Sequence, residues 1–359
     1  MKKLLFLSAL MLLAACNSNT EETPVIEEST VTKPKNVILM IGDGMGLSQL
    51  SSPQYYSQQQ PNLEQFPIVG LIKTSSSAQL ITDSAAGATA FACGVKSYNG
   101  AIGVDSDTTA VKNLSELLQL KNMKSGVIAT STITHATPAS FYAHVSSRNM
   151  HQQIAVDLTN SNISYFAGGG LQYFNQRTDS LNLLSVLEQK GFSLDTVAIP
   201  QAATDKMGIF LAENALPTML DGRGDFLTTA SQRGIECLSK SAGGFFLMIE
   251  GSQIDWGGHD NDADYLVGEM LDFDATMGAM LDYAKNDGET LIIVTADHET
   301  GGFTLASDGN NYNKIGPAFS TGGHSATMVP VLAFGPGAEE FSGIYENTEI
   351  FHKIMALLE

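Results

Sequence analysis

The sequence predicts an α/β fold of the doubly wound kind, in which helices pack against a largely parallel β-sheet. Five short runs carry the strand signal: Val37 to Ile41, Gly126 to Ala129, Phe245 to Ile249, Leu291 to Val294 and Val329 to Phe334. They are continuously apolar rather than alternating, as strands buried on both faces are, and each stops abruptly at polar or glycine residues. Helical spacing appears between them, in Val111, Leu114, Leu117 and Leu118 and again in Leu266, Met270, Phe273 and Met277. Alternation of the two patterns along one chain is what a doubly wound sheet requires.

Taken in order, the chain opens on Lys2 and Lys3 and an apolar run from Leu4 to Leu13, too short to span a bilayer and shaped like an export signal. The run ends in Leu13-Ala14-Ala15-Cys16, which resembles the lipobox of bacterial lipoproteins, where the cysteine is lipidated. Residues 1–15 are therefore expected to be removed, leaving Cys16 as a lipid anchor on the cell envelope. Residues 16–35 are rich in Thr, Ser, Glu and Pro and read as a flexible tether. Residues 36–359 hold the folded domain. Its segment from about Met150 to Leu238 shows the weakest periodicity, contains a Gly168-Gly169-Gly170 turn, and reads as an insertion or cap. Cys93 and Cys237 allow one disulfide in an oxidising compartment, with two buried free thiols as the favoured reading.

Composition narrows the function. Hydrophobic residues make up 43% and charged residues 16%, as in an ordinary globular enzyme. Lys plus Arg is 19 against 38 Asp plus Glu, a net charge of -19 that repels the phosphates of nucleic acid. An acidic protein that handles an anionic substrate needs positive charge concentrated locally, and divalent metals supply it.

The residues that follow the strands suggest where those metals sit. Gly42-Asp43-Gly44, Glu250-Gly251-Ser252 and Thr295-Ala296-Asp297-His298 each follow an apolar run. In open α/β sheets ligands bind beyond the carboxyl ends of the strands, so these acids should converge on one crevice, where cations would relieve their repulsion. Asp255 and His259 are four apart, on one face if the segment is helical, and His324 follows Gly322-Gly323. Carboxylate and imidazole without cysteine suit catalytic zinc. Thr82-Asp83-Ser84-Ala85-Ala86-Gly87-Ala88-Thr89-Ala90 reads as a cap followed by a closely packed helix. Ser84 is then either a plain capping serine or a nucleophile at a helix N-terminus, where free N–H groups favour an anion. His144, His151 and His352 have no such context and read as structural or surface residues.

Together these residues resemble the alkaline phosphatases. Segments Val37 to Gly46, Thr82 to Gly103, Thr137 to Arg148, Gly168 to Phe174, Glu250 to His259, Thr295 to His298 and Thr321 to Ala338 look like family blocks in the family order. The resemblance implies a large central, mostly parallel sheet flanked by helices on both faces, and hydrolysis of small phosphate monoesters. It places a first zinc on Asp255, His259 and His324, and a second on Asp43, Asp297 and His298, with Ser84 able to join. A third ion, normally magnesium, would use Asp43, Thr137 and Glu250. It also implies that Ser84 attacks phosphorus in line to give a phosphoserine that water then hydrolyses, and that Arg148, one of four arginines in the chain, holds two phosphate oxygens.

Two positions depart from the best-studied bacterial members of that family. His135 stands where they have an aspartate, and as a softer ligand near the third site it would admit zinc or cobalt. Trp256 stands where they have a lysine that helps organise phosphate, so product should be held less tightly; a packing role beside the site is the alternative. The family resemblance brings a homodimer into view, but the chain is shorter than many members, without room for a large interface or crown insertion. A sulfatase reading fails because Ser84 is followed by Ala-Ala-Gly, whereas the sulfatase pattern is Cys/Ser-x-Pro-x-Arg. Thr137 with Glu250 argues against a diesterase, and a nucleophile beside two metals argues against a binding protein without turnover.

Overall fold

The computed structural model describes residues 33–359; the expected signal segment and nearly all of the tether lie outside them. The strands, in chain order, are β1 (Asn36–Gly42), β2 (Ile68–Lys73), β3 (Lys124–Thr132), β4 (Ile163–Gly169), β5 (Ser193–Asp195), β6 (Met207–Phe210) and β7 (Phe245–Gly251). They continue with β8 (Thr290–Thr295), β9 (Glu299–Thr300), β10 (Thr304–Asp308), β11 (Asn311–Ala318), β12 (His324–Ser325), β13 (Val329–Phe334) and β14 (Gly343–Glu346). Ten of them form one sheet in the order β14-β2-β13-β8-β1-β7-β3-β4-β6-β5. Val37 to Ile41 in β1 are 0% exposed, so helices cover both faces of the centre, and the large, mostly parallel, helix-flanked sheet is present.

All five apolar runs are strands of this sheet, with two refinements. β13 runs antiparallel to both its neighbours, β8 and β2, although its sequence is as continuously apolar as a parallel strand's. Burial on both faces sets that pattern, whatever the direction. The helix expected from Val111 begins only at Leu114, where Asn113 caps it and Glu116 completes a capping box. The second helical pattern belongs to a 25-residue helix, Ala263–Asp287, capped by the Asp262 side chain and ended by Gly288 at a φ of 73°. Leu266, Met270, Phe273 and Met277 are fully buried beneath the sheet.

The reading of residues 150–238 as an insertion or cap is overturned. The segment extends the sheet itself through β4, β6 and β5, all parallel. Its helix Phe226–Leu238 packs flush against β4: a methyl group on Gly234 would come within 2.8 Å of the Tyr165 ring, whose hydroxyl donates to the Ala230 carbonyl at 2.7 Å. Gly168 and Gly169, expected in a turn, end β4. β5 and β6 have three and four residues, too few to show a periodicity. Cys93 and Cys237 are free and buried as expected. His144, His151 and His352 are held by the Gly103 carbonyl, Thr134 and the Gly94 carbonyl respectively.

Candidate active site

Beyond the carboxyl ends of β1, β3, β7 and β8 lies a crevice that collects acids and imidazoles from distant parts of the chain. Asp43 follows β1, and Asp297 and His298 follow β8. Glu250 lies in β7, and His135 and Thr137 follow β3. Asp255 and His259 sit one turn apart on the helix Gln253–His259. His324 is in β12, whose antiparallel pairing with β9 sets it opposite Thr300. Three clusters result: Asp255 with His259 and His324, Asp43 with Asp297 and His298, and Asp43 with His135 and Glu250. Within each cluster the ligating atoms lie within 4.8 Å of one another.

Ser84 is the first residue of the helix Ser84–Cys93, and the cap is Asp83, whose side chain accepts from Ala86 N–H at 3.0 Å. Reading Ser84 as a plain capping serine is thereby excluded. Ser84 is 2% exposed, and its hydroxyl stands 3.3 Å from His298 Nε2, at the second cluster. The helix approaches that cluster closely because its first turn is small, and a methyl group on Gly87 would meet Asp297 Cβ at 3.0 Å. Arg148 donates from Nη1 to Asp83 Oδ2 at 3.0 Å, and its Nη2 lies 3.2 Å from His135 Nε2, which places the guanidinium beside the nucleophile. The Trp256 indole stands edge-on to the His135 ring with centroids 6.1 Å apart.

The imidazoles are aimed from behind. His259 Nδ1 meets the Gly322 carbonyl at 2.8 Å, His324 Nδ1 the Thr82 carbonyl at 2.8 Å, and His298 Nδ1 the Thr300 hydroxyl at 3.1 Å. Each ring thus turns Nε2 towards its cluster, the arrangement of metal-ligating histidines. Thr300 also donates to Asp255, so one hydroxyl touches ligands of two clusters. Asp83 and Thr300 escaped the sequence reading as site residues. Thr300 had a visible signal, since in an extended segment it shares a face with His298 two residues earlier. Asp83 showed only its capping role.

Electrostatics tests whether these residues suit metal ions. Burial, reinforced by Asp297, Asp255 and Glu250, pushes Asp43 well above the usual carboxylate range. Burial pushes Glu250 up to about 7, and burial with the Asp255 charge pushes Asp297 up to about 6. Burial pulls His298 down to about 4, and burial together with Arg148 pulls His135 down to about 3. Hydrogen bonding to Asp255 raises His259 to about 9. Burial opposes ionisation of Asp255, yet the hydrogen bond from His259 and the charges of His298, His259 and His324 hold it below the usual range. Both oxygens of Asp43, with His135 Nδ1, Thr137 Oγ1, Glu250 Oε1 and Asp297 Oδ2, are buried without a hydrogen-bond partner. Such groups are costly to bury unpaired, and cations set among them satisfy carboxylate, hydroxyl and imidazole at once. The donor set is oxygen and nitrogen without sulfur, and it fits hard or borderline divalent ions.

A nucleophile-bearing helix end, a paired arginine and three oxygen- and nitrogen-rich clusters at the carboxyl end of a parallel sheet define a metal-dependent enzyme of phosphoryl transfer. The chain belongs to the alkaline phosphatase family, whose profile, described as alkaline phosphatase, matches residues 34–318. It is 32% identical to alkaline phosphatase 3 of Bacillus subtilis (strain 168), across 90% of this chain and 89% of that one. The solved alkaline phosphatase of the Antarctic bacterium TAB5 superposes with a TM-score of 0.90 at 56% identity, covering 91% of this chain and 98% of that one. A variant of the TAB5 enzyme, with aspartate in place of a histidine, was solved with magnesium bound in its M3 site; it is 55% identical, with a TM-score of 0.90 over 91% and 99% of the two chains. As a member of this family the chain is a metal-dependent phosphomonoester hydrolase.

Proposed function

We propose that the enzyme hydrolyses small phosphate monoesters through a phosphoserine on Ser84, with two zinc ions and a third divalent ion in the three clusters. The observation that carries this reading is the set of buried, unpaired ligand atoms around a serine at a helix N-terminus. Asp255, His259 and His324 would hold the first zinc; Asp43, Asp297 and His298 the second; and Asp43, Thr137, Glu250 and His135 the third ion. Bound there, the ions supply Lewis-acid stabilisation of the oxygens that gain charge in each half-reaction.

The protein groups have distinct tasks. Ser84 gives up its hydroxyl proton and its Oγ forms a bond to phosphorus as the ester oxygen leaves, to be released protonated as the alcohol. Water then gives up a proton and forms a bond to phosphorus from the vacated side as Ser84 Oγ leaves and regains its proton. Arg148, anchored by Asp83, offers a planar fork to two phosphoryl oxygens and spreads their charge. The N-terminus of the Ser84–Cys93 helix favours the same anion. Trp256 lies on the substrate side, where it leaves phosphate without a lysine partner. His135 puts a softer ligand at the third site, so that it admits zinc or cobalt besides magnesium; the aspartate variant of the TAB5 enzyme carries magnesium in its M3 site.

A chromogenic phosphomonoester assay tests the reading, with chelator added and zinc and magnesium restored, alongside mass spectrometry of acid-quenched enzyme. Activity lost to chelator and recovered with metal is expected, with phosphate on Ser84; phosphate trapped on another residue would overturn the mechanism. We further propose that Cys16 anchors the exported enzyme to the cell envelope through lipid. No helix among the described residues is long and apolar enough to cross a membrane. Cys16→Ala should release the protein from membranes, and a mutant still firmly bound would place the anchor elsewhere.

A further inference from the structure

Glu299 stands between His298 and Thr300 in the chain and, in the extended segment, turns away from the metal clusters. It is 5% exposed, and its partners are three neutral donors. Oε1 accepts from Gln49 Nε2 at 2.9 Å and from Phe303 N–H at 3.2 Å, and Oε2 accepts from the Ser325 hydroxyl. Each donor belongs to a segment that matters to the clusters. Gln49 follows Asp43 by six residues, and its amide also donates to the Thr300 carbonyl at 2.8 Å. Ser325 follows His324 directly and is the register partner of Glu299 in the β9–β12 pair. Between them Gly46 packs so closely that a methyl group there would come within 2.4 Å of Glu299 Cγ.

β9 and β12 are only two residues each, so ladder hydrogen bonds alone hold the strand of His324 weakly. Glu299 adds a charge-assisted clasp on the side away from the ions, stronger than neutral hydrogen bonds. We propose that Glu299 is a positioning residue that fixes the His324 segment against those of Asp43 and His298, and so sets how tightly the first zinc is held. The proposal rests on the two-zinc reading above. Groups bonded directly to a metal ligand typically contribute 10- to 100-fold in metal affinity, and Glu299, which acts through the residues beside the ligands, is expected to contribute about tenfold at most.

The test is competition between the full-length enzyme and a chromogenic chelator for zinc, with metal counted by native mass spectrometry. Glu299→Ala should weaken one zinc by up to about tenfold, the same zinc that is missing from His324→Ala. Glu299→Gln should lose less, because its amide oxygen still accepts from Gln49 and Phe303 while the Ser325 hydroxyl rotates to accept from the amide. Zinc affinity equal to the parent's in Glu299→Ala, with only a lower melting temperature, would show a packing role and overturn the proposal. If Glu299→Ala does not fold, Ser325→Ala decides: it removes a single clasp, a several-fold weaker zinc supports the proposal, and an unchanged one overturns it. A parent enzyme that takes up no zinc lost in His324→Ala would overturn the two-zinc reading itself, before any Glu299 variant is made.

Discussion

Arg148 and Asp83 form an ion pair at 3.0 Å, and the same carboxylate caps the helix that begins with Ser84. One side chain therefore aligns the guanidinium proposed to hold phosphate with the serine proposed to attack it. Asp83 Oδ2 also accepts from Gly100 N–H at 2.9 Å, in the loop that follows the Ser84–Cys93 helix, and the Gly100 carbonyl accepts from Arg148 N–H at 2.7 Å. Asp83→Asn keeps an acceptor for the cap and removes the charge that holds the guanidinium. The phosphate inhibition constant should rise several-fold, while stability falls by less than the ~1 kcal/mol typical of a lost cap. An unchanged constant would show that Arg148 is positioned without Asp83.

Trp256, the only tryptophan in the chain, stands beside His135, and under the proposed function a cation in its place would reach bound phosphate. Trp256→Lys adds a charge-assisted hydrogen bond worth roughly 1.5 to 3 kcal/mol when fully formed. Half of that range tightens phosphate inhibition by about tenfold, since 1.4 kcal/mol is a factor of ten. Turnover should fall if product release limits it. An unchanged inhibition constant with a lower melting temperature would mean that the indole only packs.

Removing the metals should make stability depend on pH in a defined direction. Glu250 at about 7 and Asp297 at about 6 are raised, by burial first, above the ordinary value near 4. In the metal-free protein their contribution is complete below about pH 4 and is lost as pH rises through 6 to 7. Bound cations replace those protons, so metal affinity should rise over the same interval and the loaded enzyme should escape the loss. Calorimetry of chelated and loaded enzyme from pH 4 to 8 measures this. A chelated protein that melts higher at pH 8 than at pH 5 would contradict the assignment of these acids.

Gly87 offers a purely steric test. A methyl group there meets Asp297 Cβ at 3.0 Å and its carbonyl oxygen at 3.3 Å. Gly87→Ala improves helix propensity by roughly 1 kcal/mol, yet it pushes the nucleophile helix away from the second cluster. Activity should fall by at least tenfold while the melting temperature changes little, because a small misplacement of reacting groups is expensive. Full activity in the mutant would show that the helix shifts without cost.

The sequence by itself determined the central strands and most of the crevice, because both depend on local patterns. A strand buried on both faces must be apolar throughout, and the turn that follows it must be polar, so Asp43, Glu250 and Asp297 could be read one strand at a time. Tertiary structure decided what depends on pairing. β13 runs antiparallel because its neighbours β2 and β8 receive it that way, and nothing in Val329 to Phe334 records direction. β5 and β6 owe their place to the edge they extend, too short to show a period of their own. Asp83, Thr300 and Glu299 look locally like a cap and two residues of a polar turn. They acquire their tasks only when folding brings Arg148, Asp255 and Ser325 against them from 65, 45 and 26 residues away, a proximity that no local pattern encodes.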